Sequence, residues 1–133
     1  MIIQYKIEEV IVHTVGVDLI EIARIRATLD KFGDRFLKRV YTDAEVAYCR
    51  GRVPELAVRF AAKEAVMKAL GTGARGVGWR EIETLAQRSG KPFVVLHGRA
   101  KARAERIGLK EVGISLTHSK EYGIASVVGE MDE

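Results

Sequence analysis

The sequence predicts an α+β domain: an antiparallel sheet with one long central helix packed on it. Three observations lead there. Residues 59–70 form an alanine-rich helical stretch that runs into a glycine turn. Strand-like stretches lie near both ends, at 10–17 and 114–128. Between 79 and 96, two more short apolar runs flank the turn Ser89-Gly90-Lys91-Pro92.

In chain order, Val10, Ile11, Val12, Thr14, Val15 and Val17 predict a buried strand that ends at Gly16-Val17-Asp18. His13 inside it reads as a packed strand histidine. Ile22, Ile25, Leu29 and Phe32 recur at helical spacing and predict a helix ending near Gly33. Asp18 is thereby expected at a strand-to-helix junction, either as a helix N-cap or as a rigidly held metal ligand. The polar face of that first helix carries Arg24, Thr28 and Lys31, a solvated basic face by default. Thr42 and Glu45 have capping-box spacing, so a further helix is expected to start at Asp43.

On the central helix, Val58, Ala62, Ala65, Val66 and Ala69 share one face. Phe60, Glu64 and Lys68 form a stripe on the other, flanked by Arg59 and Lys63. Taken alone, Glu64 and Lys68 read as a surface ion pair. Residues 71–78 then hold four glycines in eight positions. Such a loop brings backbone N–H groups close to a phosphate, or is simply flexible. It lacks the Lys-Ser/Thr of a P-loop and follows a helix, unlike a dinucleotide fingerprint. Strands are expected at 79–86 and 93–96, and a helix at 99–107. Two strands close the chain, with Ile114, Leu116 and His118 on one parity. A histidine at a strand end is by default a packed or capped one.

A chain of 133 residues, 47% hydrophobic and 30% charged, is expected to fold as one domain over 1–133. Its net charge of +4 leans toward anionic partners. Cys49 is the single cysteine and has no partner for a disulfide, which fits a reducing cytoplasm and a structural thiol. The start of the chain carries Lys6, Glu8 and Glu9 and no small-residue cleavage site, so no signal peptide is expected. No run approaches the ~20 apolar residues of a membrane span.

The string Arg-Phe-Ala-Ala-Lys-Glu-Ala-x-x-Lys-Ala-x-Gly-Thr-Gly at 59–73 resembles the signature of the holo-[acyl-carrier-protein] synthase type of phosphopantetheinyl transferase. Gly-x-Asp with a following Arg-Ile (Gly16, Asp18, Arg24, Ile25) resembles that family's first motif. Ile-Ser-Leu-Thr-His-Ser-Lys-Glu-Tyr at 114–122 resembles its third. The likeness runs from about 15 to 128; residues 1–10 are an extra N-terminal segment relative to it.

The resemblance implies the phosphopantetheinyl transferase fold. It also implies transfer of 4′-phosphopantetheine from coenzyme A to a serine of apo acyl carrier protein, in support of fatty acid biosynthesis. Asp18 and Glu64 would bind Mg2+, with Mn2+ as a possible substitute, and Glu64 and Lys68 would serve catalysis. Arg59, Lys68, Gly71, Thr72, Gly73 and His118 would contact the coenzyme A phosphates, with Lys120 as a further cation. Arg24 and Lys31 would dock the acidic carrier. A homotrimer with active sites between subunits is implied as well, with neither nucleic acid nor membrane as partner. The residue types suit this chemistry: magnesium takes a few carboxylates plus phosphate and water oxygens. Two other classes stay open on sequence grounds. One is a coenzyme A or nucleotide-binding module without turnover. The other is a nucleic-acid binder using the basic residues at 99–110.

Overall fold

The computed structural model describes residues 12–132. The expectation for residues 1–10, and the start of the first predicted strand, lie outside them.

Strand β1 (His13–Glu21) leads directly into helix α1 (Ile22–Phe32), followed by α2 (Asp34–Val40), α3 (Asp43–Cys49) and the long α4 (Val53–Leu70). Two 3-10 turns, Gly73–Arg75 and Trp79–Glu81, precede β2 (Ile82–Ala86) and β3 (Pro92–Leu96). Helix α5 (Gly98–Ile107), β4 (Leu109–His118) and β5 (Tyr122–Met131) complete the chain. The antiparallel pairing divides between two sheets: a three-stranded one in the order β1-β5-β4 and the separate hairpin β2-β3.

The element ends follow local chemistry. Gly33 closes α1 at φ 54°, and Gly71 closes α4 at φ 73°, a left-handed conformation that suits a residue without a Cβ. Thr42 caps α3 with its hydroxyl accepting from Glu45 N, and Glu45 returns the bond to Thr42 N at 2.9 Å. Helix α4 begins six residues before the signature string, with Pro54 in its first turn.

Strand β1 differs from the reading that ends it at Asp18. It continues to Glu21, with Asp18 paired to Ala125 in the middle of the ladder. Asp18 is therefore no helix cap; Glu21 holds that place and makes no side-chain capping bond. The strand runs on because its alternation persists: Thr14, Gly16, Asp18 and Ile20 turn toward α4, while Val15, Val17 and Leu19 turn away.

Helix α4 lies across the three-stranded sheet at unusually short range. A Cβ on Gly16 would overlap the Ala65 carbonyl oxygen and stand 3.1 Å from Ala69 N. Thr14 Oγ1 donates to the Ala69 carbonyl at 2.8 Å. Ala61, Ala62, Ala65 and Ala69 are all buried and supply the small surface this approach needs.

Among the described residues, nothing packs over the other face of the sheet at β1. Val15, Val17 and Leu19 are 68, 59 and 56% exposed, and Val128 beside Val15 is 49% exposed. No helix of the described residues is long and apolar enough to cross a membrane. Cys49 is fully buried, and burial pushes its thiol up to about 11, in keeping with a structural role.

Candidate active site

Two carboxylates meet where β1 passes under α4. Asp18 projects from the strand, and Glu64 and Lys68 project from successive turns of the helix. The Lys68 ammonium donates to the Val17 carbonyl at 2.8 Å and to Asp18 Oδ1 at 3.2 Å. Asp18 Oδ2 is buried and has no hydrogen-bond partner. Burial, then the neighbouring Asp18 carboxylate, push the Glu64 carboxyl above its usual range; Lys68 and Arg24 pull the other way.

One ammonium thus faces two adjacent carboxylates, and one buried oxygen is left unanswered. Such a pair takes up a proton or a cation. The donor set fits magnesium: oxygen ligands, two of them anionic, at the edge of the core. Among the described residues, no group of three or more His, Cys, Asp or Glu side chains converges here or elsewhere. A cation held by Asp18 and Glu64 therefore needs further oxygens from a phosphate-bearing substrate and from water. Gly71, Thr72 and Gly73 follow at the end of the same helix, the first of them three residues beyond Lys68.

Arg59 and His118 form a second group. Together with Tyr48, Glu55 and Gly90 they line a cleft of about 170 Å³. His118 shares the parity of Leu116, as its position in the strand predicts, but stands exposed at the strand end. Arg59 and Glu64 are five residues apart, which places them roughly 7.5 Å along the helix axis and about 140° around it. The two groups therefore face different sides of α4. Lys120 belongs to neither; it lines a groove beside Glu21, Arg26 and Tyr122.

Arg59 and Lys63, which flank the stripe of Phe60, Glu64 and Lys68, are set apart from it by the packing. Both are buried. Arg59 donates to Glu55 at 2.7 Å and to the Thr84 carbonyl at 3.2 Å, and its guanidinium lies 4.3 Å from the centre of the Tyr48 ring. Lys63 ends in a closed polar cage. Its ammonium reaches Glu45 Oε1 at 2.7 Å and the carbonyls of Trp79 and Ile82, while Glu45 Oε2 accepts from Thr84 N at 3.0 Å. Glu45 therefore caps α3 and also anchors α4 to β2. Phe60 stacks on Trp79 with ring centres 4.9 Å apart. Apart from the i, i+4 bond between Glu55 and Arg59, no local spacing signals these contacts, because the partners come from different elements.

Arg24 and Lys31 are exposed on α1. Arg24 is close enough for its charge to act on Glu64, so this face borders the carboxylate pair. Lys31 sits over the Phe32 ring at 5.3 Å.

A family model described as the 4′-phosphopantetheinyl transferase superfamily matches residues 14–127. A holo-[acyl-carrier-protein] synthase of Dehalococcoides mccartyi is 49% identical over 115 residues, covering 86% of this chain and 96% of the relative. The crystal structure of Helicobacter pylori holo-[acyl-carrier-protein] synthase in complex with coenzyme A superposes with a TM-score of 0.80 at 27% identity, over 87% of this chain and 99% of that one. That of a holo-(acyl-carrier-protein) synthase from Bacillus anthracis in complex with CoA (3′,5′-ADP) gives 0.73 at 35% identity, over 90% and 96%.

Proposed function

We infer, for a chain that belongs to the 4′-phosphopantetheinyl transferase superfamily, holo-[acyl-carrier-protein] synthase activity. It transfers 4′-phosphopantetheine from coenzyme A to a serine of apo acyl carrier protein. The observation that carries the chemistry is the Asp18–Glu64 pair beside Lys68, with Asp18 Oδ2 buried and unpartnered. The pair would hold Mg2+ or Mn2+, which would neutralise pyrophosphate charge when bound.

The serine oxygen attacks the phosphorus on the pantetheine side of the pyrophosphate. The bond from that phosphorus to the bridging oxygen breaks, and adenosine 3′,5′-bisphosphate leaves. Lys68 meets the negative charge that grows on the phosphate oxygens, and its bond to the Val17 carbonyl fixes its aim. Burial and the Asp18 carboxylate raise the basicity of Glu64, the direction that favours its taking the serine proton. Gly71, Thr72 and Gly73 let the pyrophosphate approach the backbone closely. Arg59 and His118 bind a further phosphate of coenzyme A, and Arg24 and Lys31 receive the acidic carrier.

Because Arg59 and His118 face away from Glu64 within one chain, the complete site draws its two halves from neighbouring subunits. The open sheet face of Val15, Val17, Leu19 and Val128 supports self-association, and we assign a homotrimer. Sedimentation equilibrium should return the mass of three chains; a monomer at working concentration would remove the shared site. The reaction belongs in the cytoplasm, where Cys49 stays reduced.

The test is the intact mass of apo acyl carrier protein after incubation with this protein, coenzyme A and magnesium. A gain of one phosphopantetheine, lost with EDTA, is expected. No gain with several apo carriers and folded protein leaves a binding module as the better account. Arg24→Glu should raise KM for the carrier by about tenfold or more while KM for coenzyme A changes little, since a like charge then opposes docking. Equal changes in both constants would remove Arg24 from the docking face.

A further inference from the structure

Glu81 has no part in the chemistry described so far, yet hydrogen bonds from two elements converge on it. It stands half-buried just past the glycine loop 71–78, in the 3-10 turn that leads into β2. Its Oε1 accepts from Gly78 N and, at 3.0 Å, from Arg99 Nε, while its Oε2 accepts from Arg99 N. Its backbone carbonyl accepts from His97 N at 2.8 Å. One residue therefore joins the last position of the loop to the first turn of α5.

The surroundings are shaped to this carboxylate. His97, at the N-cap of α5, makes no side-chain capping bond, so Glu81 caps the helix from outside it. A Cβ on Gly98 would overlap Glu81 Oε2, and one on Gly78 would stand 3.0 Å from Oε1. Burial pushes the Glu81 carboxyl up, but the N–H groups of Gly78 and Arg99 and the Arg99 guanidinium outweigh it and hold the carboxyl below its usual range. The other end of the loop is tied as well. Gly71 N and Thr72 N donate to the Lys68 and Met67 carbonyls at 3.1 Å, and Arg103 of α5 donates from Nε to the Leu70 carbonyl at 2.9 Å. Helix α5 thus grips the entry of the loop directly and its exit through Glu81. Residues 73–76, between the two anchors, are exposed. A glycine-rich segment left untethered loses much freedom when a ligand orders it, and that loss weakens binding.

We propose that Glu81 is a positioning residue for substrate binding: it fixes the exit of the glycine loop against α5, so the loop is already ordered when coenzyme A arrives. The effect on coenzyme A rests on the reading of Gly71, Thr72 and Gly73 as its contacts. The hold on the loop does not.

Glu81→Gln tests it on the whole protein. The amide keeps the size but has one acceptor oxygen where two are in use, and its NH2 group meets an N–H group head-on. Amide hydrogen exchange over 72–78 should quicken by about tenfold or more, while the β1–β5 ladder keeps its wild-type rates. The Kd for coenzyme A, from titration calorimetry with magnesium, should rise roughly tenfold, the scale of one charge-assisted bond. The kcat at saturating coenzyme A should stay within about twofold, because Asp18, Glu64 and Lys68 are untouched. Gly98→Ala is the second variant: its Cβ displaces Oε2 and should free the loop with the carboxylate still present. Arg80→Gln breaks only the exposed neighbouring pair with Asp43 and should leave exchange and affinity at wild-type values. Unchanged loop exchange in Glu81→Gln, or faster exchange throughout the fold, overturns the proposal. So does a freed loop with coenzyme A affinity unchanged. A wild type that binds coenzyme A but modifies no carrier removes the transferase reading alone, since exchange and affinity still decide the role of Glu81.

Discussion

Alanine at Glu64 is expected to reduce phosphopantetheine transfer by about 10³-fold or more, the scale of several kcal/mol of charge stabilisation. Asp18→Ala should do the same. The distinguishing readout is stability. In the absence of a cation, Glu64 is raised by burial and by Asp18, and Asp18 Oδ2 is buried without a partner. Removing either carboxylate relieves that conflict, so the melting temperature in EDTA should equal or exceed that of the wild type. Magnesium or manganese should raise the melting temperature of the wild type and leave both variants unmoved. A variant that melts lower in EDTA, or that still gains from the cation, would place the metal elsewhere.

Lys63→Met should cost about 3–5 kcal/mol, because it leaves the fully buried Glu45 carboxylate without its counter-charge. For a domain of this length that is a fall of roughly 10–20 °C in melting temperature. Three carbonyl or carboxylate contacts of the ammonium disappear together, and with them the tie between α3, α4 and β2. A double variant that also carries Glu45→Gln should recover part of the loss, since the isolated charge is gone. Thermal melts of the two single variants and the double give the coupling directly. A Lys63→Met protein as stable as wild type would show that Glu45 finds another partner.

These two experiments bear on what the sequence revealed and what it hid. Local rules carried far. The stop of α4 at Gly71 and of α1 at Gly33 follows from backbone chirality, and the Thr42–Glu45 cap from a three-residue spacing. The resemblance brought Asp18 and Glu64 together although 45 intervening residues separate them, and the structure places them side by side. What stayed hidden was long-range. Helical periodicity assigns a lysine to the solvent side by type, so the buried ends of Arg59 and Lys63 left no trace in it. The continuation of β1 past Asp18 was masked because Leu19 and Ile20 fit a helix start as well as a strand. The division into two sheets depends on partners far apart in the chain.

The seam between Gly16 and α4 has one more implication. Backbone rests on backbone there, with no room for a side chain between Gly16 and the Ala65 carbonyl. The spacing of the two carboxylates is thus set by a hard mechanical stop, not by groups that ionise. Acidity changes the charge on Glu64 without moving the frame that carries it. The scaffold acts as a fixed caliper, and only the jaws respond to the solution.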